Sequence, residues 1–166
     1  MKTFKVMSRS AVKRYCYKQV PPGTIIISIS DVSLTPLIFP KNSNVIDILK
    51  IQFDDVDRGE LNCITKDDAE KIASFVKRHL DAKNIIVNCE AGVSRSAGCC
   101  AAIMYWLYRD DSQIFDNPRY CPNMTVYRAV LEALVGENDD WIFPEDEAQK
   151  KLDHNVEIWR KRVGLD

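Results

Sequence analysis

Two rhythms of apolar and polar positions run along this chain, and each change of rhythm marks an element. Thr3 to Met7 alternates with period two and suits a first strand. Ser8 to Tyr15 fits a short helix capped by Ser8 or Ser10. After the turn Pro21-Pro22-Gly23, the β-branched run Thr24-Ile25-Ile26-Ile27-Ser28-Ile29-Ser30 reads as a strand. Asp31 to Ser43 holds two prolines and reads as a loop, and Asn44 to Phe53, in particular Ile46 to Phe53, alternates again as a strand. The rhythm then lengthens. Thr65-Lys66-Asp67-Asp68 has the chemistry of a helix start, and Ala69, Ile72, Ala73, Phe75, Val76 and Leu80 would form the inner face of that helix. Ile85-Ile86-Val87 is a further short buried strand, followed by an Ala-rich apolar helix from Ser96. Asp110 to Pro122 is polar, is broken by Pro118 and reads as a loop. Asn123 caps a helix through Leu134 that ends at Gly136. Pro144-Glu145-Asp146-Glu147 opens a last helix, on which Ala148, Leu152, Val156 and Trp159 form one apolar stripe. That stripe and Trp141 are expected in the core, the alternative being a docking face for a partner.

Strands alternating with helices imply an α/β fold: a single domain with a mostly parallel central sheet of about four to five strands and helices on both faces. We expect one domain over residues 1–166, with residues 137–166 as a helical extension packed on it or appended to it. In such sheets ligands bind beyond the carboxyl ends of the strands, and two stretches there carry chemistry. The first is Cys89-Glu90-Ala91-Gly92-Val93-Ser94-Arg95-Ser96, a small-residue turn between a strand and a helix N-terminus. Such a corner binds anions, because its backbone N–H groups converge and the helix dipole adds positive potential. A sulfur at Cys89 in these surroundings is favoured as a nucleophilic thiolate. Arg95 can grip two phosphate oxygens with its planar fork, Gly92 lets the backbone curl, and Ser96 can donate a hydrogen bond to the sulfur as it leaves.

This octapeptide resembles the signature loop of the cysteine-dependent protein tyrosine phosphatases, and Gly92-Val93-Ser94-Arg95-Ser96 resembles its dual-specificity branch. The resemblance implies a phosphocysteine intermediate on Cys89, with Arg95 and Ser96 assisting and Glu90, Ala91, Gly92, Val93, Ser94 and Arg95 binding the phosphate. It covers the loop closely and the stretch from about Ile25 to Leu134 in outline. One position departs: the family usually has His before the Cys, and this chain has Asn88, which can hydrogen-bond but carries no titratable cation. That implies a less acidic thiol and slower turnover.

The second stretch is the acidic loop Asp54-Asp55-Val56-Asp57. A departing ester oxygen needs a proton, and a carboxylic acid is a natural donor. The family's pattern of alternate apolar residues before an Asp falls on Ile51, Phe53 and Asp55, 34 positions before Cys89. Asp55 is therefore the first choice of general acid, Asp57 the second and Asp54 the third. Pro122-Asn123 resembles an element that starts a late helix in dual-specificity phosphatases and buttresses the loop, although capping alone accounts for Asn123.

Composition narrows the picture. A net charge of −1 argues against a general nucleic-acid binder, and the longest apolar run is too short to span a bilayer. The six cysteines fall at irregular spacing, which suits neither a disulfide framework nor a zinc site, so a reducing cytoplasm is the expected compartment. Cys99 and Cys100 lie on the apolar helix as packing residues, and neither His79 nor His154 has neighbours at metal-ligand spacing. No metal or organic cofactor is expected. The expected activity is hydrolysis of phosphomonoesters, with a phosphorylated protein or peptide as substrate: phosphotyrosine first, then phosphoserine and phosphothreonine. Relatives that act on phosphoinositides place Lys in the loop; here there is none, and Glu90 would repel a highly anionic substrate, 5′-triphosphorylated RNA included. Two alternatives stand beside the enzyme. One is a phosphate-recognising module with little turnover. The weaker is a sulfur-transfer enzyme, against which Ser96 and the upstream acid count.

Overall fold

The isoleucines of the second strand divide the molecule in two. In the computed structural model, which describes residues 1–18, 20–137 and 145–165, Ile25, Ile27 and Ile29 face one core and Ile26 faces another. Alternation of this kind requires an extended backbone covered on both sides. Four strands form one sheet: β1 (Thr3–Ser8), β2 (Thr24–Ser30), β3 (Val45–Gln52) and β4 (Asn84–Cys89). Their order is β1-β4-β2-β3, and each adjacent pair is parallel.

The smaller core holds Val12 and Cys16 of α1 (Arg9–Cys16), together with Leu37, Ile26 and Ile86. The larger lies on the other face, under α2 (Lys66–Arg78), α3 (Arg95–Tyr108), α4 (Ser112–Phe115) and α5 (Met124–Val135). The chain is one α/β domain with helices on both faces of a parallel sheet. Three helix starts follow from single side chains. Ser8 Oγ accepts from the Ala11 amide at 3.2 Å, Thr65 and Asp68 form a reciprocal capping box, and Asn123 accepts from Val126.

Several expectations need correction. The helix expected to reach Leu80 ends at Arg78, with His79 as its cap, and Leu80 is exposed. The stretch 110–122 is not all loop, because α4 interrupts it and buries Ile114 and Phe115. The stripe on α6 (Glu145–Val163) is not core: Leu152, Val156 and Trp159 are 36%, 42% and 49% exposed. The helix turns Lys151, Asn155 and Ile158 inward instead, one position round from the apolar stripe. The side chain of Ala148, and Trp141 altogether, lie outside the described residues. Among the described residues no helix is long and apolar enough to cross a membrane.

Candidate phosphate-binding site

All four parallel strands deliver a polar side chain at their carboxyl ends. Beyond β1 comes Arg9, beyond β2 Asp31, beyond β3 Asp54 and Asp55, and β4 ends on Cys89. Cys89 passes into a loop that closes on α3, and a single glycine makes that loop possible. Gly92 has φ +68°, and a Cβ there would lie 2.4 Å from the backbone of Met7 and Ser8. Only glycine lets the loop lie against the β1–α1 junction this closely.

The loop commits three of its carbonyls to the protein but none of the amides from Glu90 to Ser94. The Glu90 carbonyl accepts from Arg9 N–H at 3.1 Å, Val93 from Cys121 at 3.0 Å, and Ser94 from Asn123 at 3.1 Å and Gly98 at 2.9 Å. Among the described residues, the amides from Glu90 to Ser94 have no protein acceptor. A run of uncommitted amides ahead of a helix N-terminus is the chemistry of an oxyanion cradle.

Cys89 is buried, and its Sγ lies 3.0 Å from Ser96 Oγ on the first turn of α3. Arg95 is buried too. Its Nη1 makes an ion pair with Asp31 Oδ1 at 2.6 Å and donates to the Phe53 carbonyl at 2.7 Å, while its Nε has no partner among the described residues. The guanidinium is thus fixed from the ends of β2 and β3. Asp55 accepts from Ser94 Oγ at 2.8 Å and from Asn123 Nδ2 at 2.9 Å, so one carboxylate oxygen ties the acidic loop to the cysteine loop and to the cap of α5.

The three candidate acids are therefore separated by their contacts. Asp55 touches the loop. Asp54 turns back, accepting from Val32 N–H at 3.0 Å and Asn62 at 2.9 Å, and these bonds hold its carboxyl below the ordinary carboxylate range. Asp57 is exposed, and none of the side-chain hydrogen bonds found among the described residues reaches it from the loop. Glu90, expected to repel a highly anionic substrate, is paired with a cation: Arg9 Nη1 lies 3.1 Å from it and also donates to Ser30 Oγ. Asn88, although able to hydrogen-bond, makes no side-chain hydrogen bond among the described residues. Both its side-chain polar atoms are buried without a partner, as is Oγ of Ser28 beside it in β2. All six cysteines are free. Burial pushes the Cys100 thiol up to about 12, and Cys99 is raised well above an ordinary thiol by burial first and by its cysteine neighbours second. Among the described residues no group of three or more His, Cys, Asp or Glu is placed to hold a metal.

Asp31 and Arg9 were missed in the sequence. The available signal was positional: each is the first polar residue past the carboxyl end of a parallel strand, where ligands gather. Two clefts adjoin this region. The larger, about 850 Å³, lies between α2 and α5 and is not lined by Cys89 or Arg95. The smaller, about 360 Å³, begins at Ser94 and Asp55.

Comparison with known proteins places these features in a family. No curated protein matches the chain. Among solved structures, one of PTPMT1 in complex with PI(5)P is 15% identical, with 96% of this chain and 94% of that one covered and a TM-score of 0.41. Two structures of Tk-PTP score 0.41 as well. One, a mutant form, is 14% identical and covers 98% of this chain and 91% of its own. The other, the active form, is 11% identical and covers 93% and 90%. The family model of the Rit1 DUSP-like domain matches residues 64–150, more than half of the chain, a span that holds β4, the whole cysteine loop, α3 and α5. The chain belongs to the Rit1 DUSP-like domain family.

Proposed function

We propose that this protein hydrolyses phosphomonoesters through a phosphocysteine intermediate, with phosphotyrosine on a protein or peptide as the first substrate and phosphoserine or phosphothreonine as further ones. The observation that carries the reading is the loop's division of labour. The carbonyls of Glu90, Val93 and Ser94 are bonded to the protein and the amides from Glu90 to Ser94 are uncommitted among the described residues, around a cysteine whose sulfur is 3.0 Å from a hydroxyl. Membership of a family described as DUSP-like supports it.

In the first step the Cys89 thiolate attacks phosphorus, an S–P bond forms, and the P–O bond to the leaving group breaks. Asp55, as the carboxylic acid, gives its proton to the departing oxygen. In the second step the Asp55 carboxylate takes a proton from water, whose oxygen attacks phosphorus. The S–P bond then breaks, inorganic phosphate leaves, and the Ser96 hydroxyl donates to the returning thiolate. The amides from Glu90 to Ser94 and the Arg95 guanidinium hold the equatorial oxygens, so most of the acceleration comes from preorganised charge and positioning. Because Arg95 is paired with Asp31, entry of a phosphate exchanges one carboxylate oxygen at the guanidinium for a phosphate oxygen.

Hydrolysis of an aryl phosphate under reducing conditions tests this. Wild type should turn over, Cys89→Ser should be inactive, and Asp55→Asn should lose about 10²- to 10⁴-fold in kcat. Equal rates in all three proteins would remove the mechanism. A second reading is a phosphate-recognising module with little turnover, favoured by the unpaired Asn88 beside the nucleophile. In that case wild type binds a phosphopeptide and releases no phosphate. The family's short name, Init_tRNA_PT, refers to a transfer RNA. A net charge of −1 and the carboxylates Asp55 and Asp57 beside the loop favour a less anionic substrate than RNA.

A further inference from the structure

The last helix sets one ammonium group into the domain, beside outer contacts of His154 with Asp116 and of Arg162 with the Pro118 carbonyl. Lys151 of α6 reaches a cage built by three other helices and the turn before α4. Its Nζ lies 4.6 Å from the ring centroid of Tyr105, 4.9 Å from that of Phe115 and 5.4 Å from that of Tyr127. It pairs with the carboxylate of Asp111, and Tyr127 Oη lies 3.3 Å away. Asp111 is 6% exposed and Tyr127 is fully buried. A cation withdrawn from water needs such a counter-charge, and aromatic faces add to it. A lysine held from so many sides fixes the rotation of its helix, and with it the direction of the next residue.

That residue is Leu152, which lines the 360 Å³ cleft beginning at Ser94 and Asp55. Lys151 and Leu152 lie just past residues 64–150, the span that matches the family model, whereas the clamp's partners Tyr105, Asp111, Phe115 and Tyr127 lie within it. We propose that this cleft is the subsite for the part of a substrate adjacent to its phosphorylated residue. Leu152 is its outer wall, Lys151 positions that wall, and the subsite prefers an apolar or basic neighbour to an acidic one. The proposal rests on the phosphatase reading above.

A phosphate seated in the loop must direct its leaving group past Ser94 and Asp55, which is where the cleft opens. Val56, Pro122, Met124 and Leu152 give the cleft apolar surface, and Asp55 and Asp57 give it negative charge. Among its described lining residues there is no cation, because Lys151 is turned into its cage. Its volume suits one side chain beside the phosphorylated one. A glutamate there would meet two carboxylates, whereas an arginine would lay its stem on the apolar surface and its charge near Asp57.

The test compares a small aryl phosphate with two phosphotyrosyl peptides that differ only in Arg or Glu beside the phosphotyrosine. In Leu152→Ala and Lys151→Met the ratio of peptide to aryl kcat/KM should fall about tenfold, through the peptide's KM. Asp57→Asn should reduce the Arg-over-Glu preference about fivefold. An unchanged ratio in Leu152→Ala overturns the proposal, as does a wild type with no preference for Arg. If Lys151→Met fails to fold, seen as lost far-ultraviolet dichroism, Leu152→Ala carries the test alone. If wild type does not hydrolyse the aryl phosphate, the catalytic reading fails, and the subsite is judged by binding of the Arg peptide to Cys89→Ser protein. Leu152→Ala should weaken that binding about tenfold, and unchanged binding overturns the subsite.

Discussion

Six free cysteines occupy environments that predict different reactivities. Cys99 and Cys100 are fully buried on α3, and with the Cys100 thiol pushed up to about 12 both remain protonated at neutral pH. Iodoacetamide treatment of the native protein, followed by peptide mapping, should leave both unmodified; labelling of either without unfolding would contradict the packing. Asp31 makes a sharper test. Its carboxylate sits at 2.6 Å from the guanidinium that a phosphate would need, so it is an internal competitor. Asp31→Asn should lower the dissociation constant for inorganic phosphate about tenfold, because the oxyanion no longer displaces a paired charge; weaker binding would mean that Asp31 chiefly aims Arg95. Asp54 acts on stability. Its carboxyl is held low by the Val32 amide first and by Asn62 second. The stabilisation is present in full above the unfolded carboxylate value of about 3.9 and is lost as pH falls through the lower folded value. Urea unfolding of wild type and Asp54→Asn should therefore differ at neutral pH and converge in acid.

At the scale of elements, α3 shows why a helix so rich in Gly, Ala and Cys is required. It is buried from Arg95 to Met104, and a Cβ at Gly98 would fall 2.4 Å from the carbonyl oxygen of Asn123. The close approach of α3 to the start of α5 lets Asn123 reach Asp55. Gly98→Ala should cost about 1–3 kcal/mol, read in thermal or urea unfolding, and should lower phosphatase activity more than stability alone explains, because Asn123 is pushed outward. This level was largely legible in the sequence. The caps at Ser8, Thr65 and Asn123 and the β-branched strands are local chemistry, and local chemistry is what a sequence displays. The last helix was not. Its period of apolar residues identified a stripe but could not say which side of the helix faces the domain. The inward face was decided by Lys151, whose partners Asp111 and Tyr127 come from distant parts of the chain.

For the whole molecule, the parallel sheet is what makes the site. Four strands pointing one way bring Arg9, Asp31, Asp55 and Cys89 to one edge, although they are far apart along the chain. The loop, and the position of Asp55 beside it, could be read from residue spacing and family resemblance, since strand ends in an α/β sheet converge. The Arg95–Asp31 and Arg9–Glu90 pairs could not, because each is a match of charges between elements whose separation only the folded sheet sets. The central claim is that Cys89 carries the phosphoryl group. Acid quenching of Asp55→Asn protein after mixing with radiophosphate-labelled nitrophenyl phosphate tests it most directly: a nitrophenolate departs without a proton from Asp55, so loss of the base that activates water should let the intermediate accumulate. The account predicts label covalently attached to the peptide containing Cys89 and none in Cys89→Ser. Label that persists in Cys89→Ser, or turnover by wild type with no label at Cys89, would contradict it.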